Sequence, residues 1–300
     1  MKKTEEIDLV LFGSKLAHSI ELLKHAEELA LHYSPNGYYL AFSGGKDSQA
    51  LYHVAQMAGV KFEAHFSLTT IDPPEQVRFV RRQYPDVMIE RPSINFANLC
   101  IKKKALPTRM MRFCCAELKE VRGAGRVVLT GVRRAESYAR SKRGEAEVFS
   151  KNQNRRFVGD IEQFDQFVYS REVEDVQCIR GKDKIVINPI IDWTDAEVWH
   201  FLNNVSKVPH CELYDNGFRR IGCLFCPMSS RKEMMMCREI YPKYYRLFIR
   251  LINRLRANGY LFEYSVLTDE EVFEWWMSKE SLQVWFAKNK SQMQIPFDLM

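Results

Sequence analysis

The chain has 300 residues, 46% of them hydrophobic and 27% charged, a balance that supports a folded core and excludes a disordered polyelectrolyte. No apolar run approaches the roughly 18 residues that a membrane helix needs. The start, Met1-Lys-Lys-Thr, lacks the apolar core of a secretion signal, so a cytoplasmic location without membrane contact is expected. The formal net charge of +6 suits anionic ligands and permits nucleic acid without demanding it.

Residues 6–32 space Ile7, Leu11, Leu16, Ile20, Leu23 and Leu31 among polar residues, which predicts one or two amphipathic helices. A short apolar strand follows at 37–42, then Ser43-Gly-Gly-Lys-Asp-Ser48, then a helical stretch at 49–57. Strands are predicted at 60–68, 86–90, 126–131 and 185–191, with helices at 75–84 and 95–104 between them. Strands alternating with helices predict an α/β fold of parallel βαβ units, whose ligands bind beyond the strand C-termini. Residues 43–48, 69–72 and 130–137 all lie at such ends, and so point toward one crevice.

From 139 to 184 the periodicity fades and charge accumulates at Arg140, Lys142, Arg143, Lys151, Arg155 and Arg156, interleaved with Phe149, Phe157, Phe164, Phe167 and Tyr169. This reads as an insertion, either a solvated loop or a lid or nucleic-acid contact. Thr194 with Glu197 forms a capping box for a further helix. One long helix is predicted over 230–258 and another over 268–279. The expected organisation is a helical segment at 1–34, a nucleotide-binding α/β domain at 35–228 carrying the insertion 139–184, and a helical region at 229–300.

Residues 43–48 form a strand, a glycine turn and a helix start. Adjacent glycines turn backbone N–H groups toward one point. The helix adds unpaired N–H groups and its positive dipole end, making a seat for phosphate or pyrophosphate. Lys46 brings a positive charge, and Ser43 and Ser48 bring hydroxyls. The pattern is not the Walker loop G-x-x-x-x-G-K-[ST], because the glycines touch and Asp47 follows the lysine. The simpler alternative is a helix entry capped by Asp47 and Ser48.

Eight cysteines are present. Cys114 and Cys115 are adjacent, and Cys223 and Cys226 form C-x-x-C before Pro227. Four thiolates in two pairs can hold an iron–sulfur cluster or a zinc ion; free thiols or a redox disulfide are the remaining reading. Cys100, Cys178, Cys211 and Cys237 lack a partner at ligand spacing and read as small buried hydrophobes. Arg109 and Arg112, three apart on an expected helical stretch, would share a face and suit phosphate or sulfate oxygens. Arg133, Arg134, Glu136 and Ser137 follow a strand where phosphates or ribose would be met.

Together these segments resemble one family. Ser43-Gly-Gly-Lys-Asp-Ser48 is similar to the pyrophosphate loop of N-type ATP pyrophosphatases and of the phosphoadenosine phosphosulfate reductase family. Thr108-Arg-Met-Met-Arg-Phe-Cys-Cys115 resembles the Thr-Arg-x-x-Arg-x-Cys-Cys segment of its iron–sulfur members, and Gly131-Val-Arg-Arg-Ala-Glu-Ser137 their Gly-x-Arg-x-x-Glu-Ser segment. Residues 188–199 and 221–227 are similar to two more, so the resemblance covers about residues 35–245.

It implies a Rossmann-like adenine nucleotide α-hydrolase fold with a mostly parallel five-stranded sheet, helices on both faces and a helical C-terminal region. It implies a [4Fe-4S] cluster on Cys114, Cys115, Cys223 and Cys226. It also implies an adenine nucleotide, ATP or an adenylyl sulfonucleotide, held by residues 43–48, Thr69, Asp72, Gly131, Arg133, Arg134, Glu136 and Ser137.

Lys46, Asp47, Arg109 and Arg112 are the expected catalytic residues, with Mg2+ on Asp47 or Asp72. Two chemistries occur in the family: reduction of adenylyl sulfate or its 3′-phosphorylated form, and cleavage of ATP between the α and β phosphates for sulfur insertion. The latter includes the relative used in DNA phosphorothioation. Residues 291–300 lack the reductases' Glu-Cys-Gly-Leu-His cysteine, and Cys237 falls within a predicted helix. ATP cleavage linked to sulfur transfer is therefore the first expectation, a sulfonucleotide reductase the second and a nucleotide sensor without turnover the third. Expected partners are a sulfur-donor protein (a cysteine desulfurase or a thioredoxin-like protein) and a DNA or tRNA acceptor; a homo-oligomer is allowed.

Overall fold

The computed structural model describes residues 7–149, 155–169, 184–261 and 265–289. The predicted roles of Lys151 and Cys178, and the tail at 291–300, lie outside the described residues. The chain divides into two compact units. The first joins 1–67, 74–90 and 120–221; the second joins 68–73, 91–119 and 222–300.

The first unit contains the sheet. Its strands are β1 (Tyr38–Ala41), β2 (Phe62–Ser67), β3 (Met88–Glu90), β4 (Val127–Leu129), β5 (Ala146–Phe149), β6 (Arg155–Gly159) and β7 (Lys184–Ile187). Among the described residues the order is β3-β2-β1-β4-β7-β5-β6. The five strands β3, β2, β1, β4 and β7 pair in parallel. The expected count of five thus describes the parallel part. The insertion adds β5 antiparallel to β7, and β6 antiparallel to β5. Its alternation, Ala146-Glu-Val-Phe149, is too short to outweigh the surrounding charges in a sequence window. Strand pairing to an existing edge supplies what local pattern does not.

The unit's helices are α1 (Leu9–His25), α2 (Glu27–Tyr33), α3 (Lys46–Ala58) and α4 (Pro74–Gln83). The second unit's α5 (Phe96–Lys103) and α6 (Phe113–Cys115) come next in the chain. The one-turn α7 (Tyr138–Ser141), α8 (Ile161–Tyr169) and α9 (Asp195–His200) complete the first unit.

Tyr38 and Leu40 are fully buried on one sheet face, and the Tyr38 hydroxyl donates to the Leu23 carbonyl of α1 at 2.7 Å. Tyr39, Val128 and Val186 line the opposite face, with Ala41 and Phe149 packed on them. Phe157 stacks near Phe164 and Phe167, with ring centroids 5.6 and 4.9 Å apart, so these insertion aromatics pack on one another.

The amphipathic N-terminal pattern resolves into an anchor. Ser19 Oγ donates to Pro189 O at 2.6 Å and accepts from Trp193 Nε1 at 3.2 Å. Lys15 pairs with Glu197 at 2.8 Å. These bonds tie α1 to the β7–α9 connection, which carries part of the site described below.

The second unit packs α10 (Arg231–Ile240), α11 (Pro242–Ala257), α12 (Asp269–Ser278) and α13 (Leu282–Asn289) with α5. Its core is aromatic: Phe96, Phe225, Phe248 and Phe273 are nearly or fully buried, and Phe248 stacks on Trp276 at 5.4 Å. The Trp276 indole donates to Pro107 O at 2.7 Å. The predicted single helix over 230–258 is in fact two helices. Pro242 lacks an amide N–H and restricts the residue before it, so Tyr241 ends α10 and Pro242 opens α11. No helix among the described residues is long and apolar enough to cross a membrane.

Candidate functional site

The glycine turn between β1 and α3 closes on its own hydroxyls. Ser43 Oγ and Ser48 Oγ lie 3.0 Å apart, the Ser43 amide donates to Ser48 Oγ at 3.1 Å, and Ser48 Oγ donates to Gly45 O at 2.9 Å. Gln76 Nε2 donates to Ser43 O at 2.6 Å. The serines therefore shape the loop. Gly44 has φ +72, and a Cβ there would sit 2.7 Å from Val80 Cγ2, so both backbone and space require glycine. The N-cap of α3 is Gly45, without a side-chain cap. Asp47 and Ser48 fall inside the helix, so they are not the N-cap that the simpler alternative required.

The charges form a four-membered network. Lys46 is only 3% exposed, with Nζ 3.0 Å from Asp195 Oδ1 and 3.4 Å from Asp47 Oδ2. Arg133 is equally buried. Its Nε donates to Asp47 Oδ1 at 2.7 Å, its Nη2 to Asp195 Oδ1 at 3.0 Å, and its Nη1 to Trp193 O at 3.1 Å. Burial would raise the Asp195 carboxyl, but Lys46 and Arg133 outweigh it and hold the group below its ordinary range. Gly131 brings the end of β4 against α3, where a Cβ would meet Asp47 O at 2.8 Å.

Two cavities open on this network. One of about 170 Å³ is lined by Ser43, Gly45, Asp47, Ser48, Gly131 and Arg140, among others. The other, of about 530 Å³, is lined by Lys46, Arg133, Asp195, Trp199, Arg219 and others. Glu136, Tyr214 and Arg220 line both. Burial, with Arg220 close by, pushes the Arg140 guanidinium down, and Glu136 is its carboxylate partner. Arg134 is drawn instead to Asp192 and the Arg143 carbonyl, and Ser137 caps α7; neither lines either of these two cavities.

Asp195 and Tyr214 are missing from the residues expected from sequence. Tyr214 accepts the Lys46 amide on its hydroxyl at 2.8 Å and packs against Trp199 at 4.9 Å. It lies in an irregular stretch where periodicity carries no information. Asp195 occupies the first position of α9, where an acid already serves the helix dipole, and that use conceals a second one.

The second unit gathers the four expected thiols. Cys114, Cys115, Cys223 and Cys226 line one cavity of about 20 Å³ with Ile71, Phe96, Pro107, Leu118, Phe225 and Pro227, beside Thr69 and Lys119. Cys223 Sγ lies 3.3 Å from Thr69 Oγ1 and 4.0 Å from Asp72 Oδ1. Asp72 Oδ2 accepts the Thr69 amide at 2.6 Å, and Leu224 N donates to Ile71 O at 2.8 Å. Among the described residues, no three His, Cys, Asp or Glu side chains form a group that could hold a single metal ion.

The hydrogen bond between Cys114 and Cys115 raises the first thiol and lowers the second, with Arg112 adding to the lowering. Burial raises Cys223, and the neighbouring Cys223 raises Lys119. Cys100, Cys211 and Cys237 are buried, and burial lifts their thiols, to about 12 for Cys100 and about 11 for Cys237.

The helical argument for Arg109 and Arg112 fails. Both precede α6 on a bend closed by Thr108, whose amide donates to Met111 O at 3.1 Å and whose hydroxyl accepts the Met111 amide at 3.0 Å. Both side chains are exposed. The network thus brings Lys46, Asp47 and Arg133 together in the first unit. Thr69, Asp72, Arg109 and Arg112 fall with the thiols in the second.

An uncharacterised protein of Methanocaldococcus jannaschii is 28% identical over 230 residues, which are 73% of this chain and 48% of that protein. This chain thus spans about half the length of that relative. An adenosine 5′-phosphosulfate reductase of Oceanobacillus iheyensis is 40% identical over 42 residues, 14% of this chain and 17% of that enzyme. The crystal structure of the phosphoadenylyl-sulfate reductase of Candida auris, in a phosphate complex, aligns with TM-score 0.43 and 18% identity over 73% of this chain and 96% of that one. The model of the phosphoadenosine phosphosulfate reductase domain matches residues 37–229, well over half of the sequence, and the chain belongs to that family.

Proposed function

We propose that this protein binds an adenine nucleotide on residues 43–48 and cleaves ATP between its α and β phosphates to activate an oxygen for sulfur transfer. The observation that carries this reading is the buried Lys46 ammonium. It lies beside Asp47 and Asp195 at the head of α3, and lines a cavity together with Arg133, Arg219 and Arg220. Lys46 and Arg133 are the buried members of the network and need counter-charge, which Asp47 and the largely exposed Asp195 supply; an incoming polyphosphate can replace these carboxylates as partner of both cations.

The oxygen of the acceptor attacks the α-phosphorus, the bond from that phosphorus to the bridging oxygen breaks, and pyrophosphate leaves. Lys46 and the amides of α3 offset the charge that develops on pyrophosphate. Arg133, positioned by Trp193 O, orients the α-phosphate once the polyphosphate has replaced Asp47 and Asp195 as its partner. Both Asp47 oxygens already face cations, Oδ1 toward Arg133 and Oδ2 toward Lys46, so a Mg2+ ion held by Asp47 would compete with them.

The four thiols fit an iron–sulfur cluster by their chemistry. They are four sulfur donors in a largely apolar shell, with Thr69 and Asp72 beside Cys223 and Lys119 and Arg112 as neighbouring cations. Cys114, Cys115, Cys223 and Cys226 would hold the cluster, which supplies sulfur or electrons when bound.

Lys46→Ala should abolish pyrophosphate release from ATP in the presence of the acceptor, while circular dichroism stays unchanged. Release at the wild-type rate would refute this reading. The short matches to adenosine 5′-phosphosulfate reductases favour a second reading, sulfonucleotide reduction. Cys237 is a poor nucleophile for it, being buried with its thiol raised to about 11. Thioredoxin-dependent sulfite release from adenylyl sulfate, with no pyrophosphate from ATP, would establish that reading over the first.

A further inference from the structure

The excess positive charge is confined to one unit. Lys and Arg number 18 against 11 Asp and Glu in the second unit, and 26 against 27 in the first. Within the second unit, α11 contains no acidic residue. Lys243, Arg246, Arg250 and Arg254 recur at spacings of three, four and four, so they share one face. All four are exposed and none makes an ion pair among the described residues. The contrast with nearby cations is plain: Arg256 pairs with Asp269 at 2.7 Å and Arg238 with Glu274 at 3.1 Å. The face runs about 16 Å along the helix at 1.5 Å per residue.

We propose that this face of α11 binds the phosphate backbone of a nucleic acid. Exposed like charges at these spacings repel weakly, and a regular polyanion matches the row. Duplex DNA presents one charge per roughly 1.7 Å of axis, several of them within the length of this face. A lipid surface fits less well. A helix that lies in a membrane interface inserts an apolar face, whereas Phe248, Leu251, Ile252 and Leu255 of α11 are buried in the unit's own core. Three of the four cations are arginines, whose planar forks bond two phosphate oxygens at once. The inference is independent of the nucleotide chemistry proposed above.

The test is fluorescence anisotropy of the full chain with a labelled DNA duplex and, separately, a labelled RNA hairpin, across a salt series. Binding to either probe is expected. Four phosphate contacts predict a slope of log affinity on log salt near −3.6 for the duplex, or about a 100-fold loss between roughly 50 and 200 mM salt. The combined variant K243Q/R246Q/R250Q/R254Q should lose at least about tenfold in affinity and flatten the slope. R246K/R250K/R254K should retain most of the binding, which separates charge from fold. The arm that binds more tightly identifies DNA or RNA as the source of the phosphates. The proposal is overturned if neither probe binds at low salt, or if the glutamine variant binds as the wild type does. It is equally overturned if only phosphatidylserine vesicles respond to the substitutions.

Discussion

Single residues in the nucleotide loop act through backbone proximity as much as through charge. Gly131 has no special dihedral angle, yet a Cβ there would lie 2.8 Å from the Asp47 carbonyl oxygen and 2.9 Å from its carbon. Both contacts are to backbone and cannot swing away. Gly131→Ala should therefore push α3 from β4, cost about 1–3 kcal/mol in chemical denaturation and weaken ATP binding at least about tenfold; calorimetric titration at wild-type affinity would contradict this.

Asp195 invites a pH experiment. Its carboxyl is held below its ordinary range, so its contribution is complete above the unfolded value near 3.9 and is lost as pH falls through the folded value. The side chain is 63% exposed, so the effect is modest. Asp195→Asn should be less stable than wild type at neutral pH, and the gap should close under acid below about pH 4. A gap that stays constant into strong acid would show that Asp195 does not act through its charge.

At the scale of elements, α9 is positioned by a short set of bonds. Thr194 Oγ1 accepts the Glu197 amide at 3.2 Å, Glu197 Oε2 accepts the Thr194 amide at 2.6 Å, and Lys15 of α1 holds Glu197 from the other side. Because Asp195 opens this helix, the cap also sets the distance of the carboxylate from Lys46. Thr194→Ala should cost about 1 kcal/mol, visible as a lowered thermal midpoint, and should raise KM for ATP more than it lowers kcat. A stability loss with unchanged KM would make the cap purely structural. The capping box was legible because it is local. The break at Pro242 was missed in the expected single helix over 230–258, although a proline inside a long helical pattern argues for two helices. The hairpin of β5 and β6 was hidden, because β5 is stabilised by pairing with β7, and β6 by pairing with β5, rather than by their own pattern.

For the whole molecule, the chemistry is divided as the charge is. The first unit is nearly neutral and holds the buried Lys46 and Arg133; the second is basic and holds the thiols. If the thiols hold a cluster, the full chain reconstituted anaerobically with iron and sulfide should bind about four irons per chain. It should also show the visible absorption of a thiolate-bound cluster. Cys114→Ser and Cys223→Ser should each reduce both sharply, whereas Cys100→Ser, outside the cavity, should not. Equal iron content in all three variants would refute the assignment.

The sequence alone determined what depends on neighbours in the chain. That includes the alternation of strands and helices, the glycine turn, the capping box at Thr194 and the pairing of cysteines within each segment, because each is encoded within a few residues. Tertiary structure decided what depends on distant segments. Only folding brings Asp195 and Tyr214 to Lys46, across about 150 residues of chain or more, and turns Ser43 and Ser48 toward each other. It also places Thr69 and Asp72 beside Cys223. Side-chain chemistry can be read from letters, but the partner of a charge is set by the packing that carries it there.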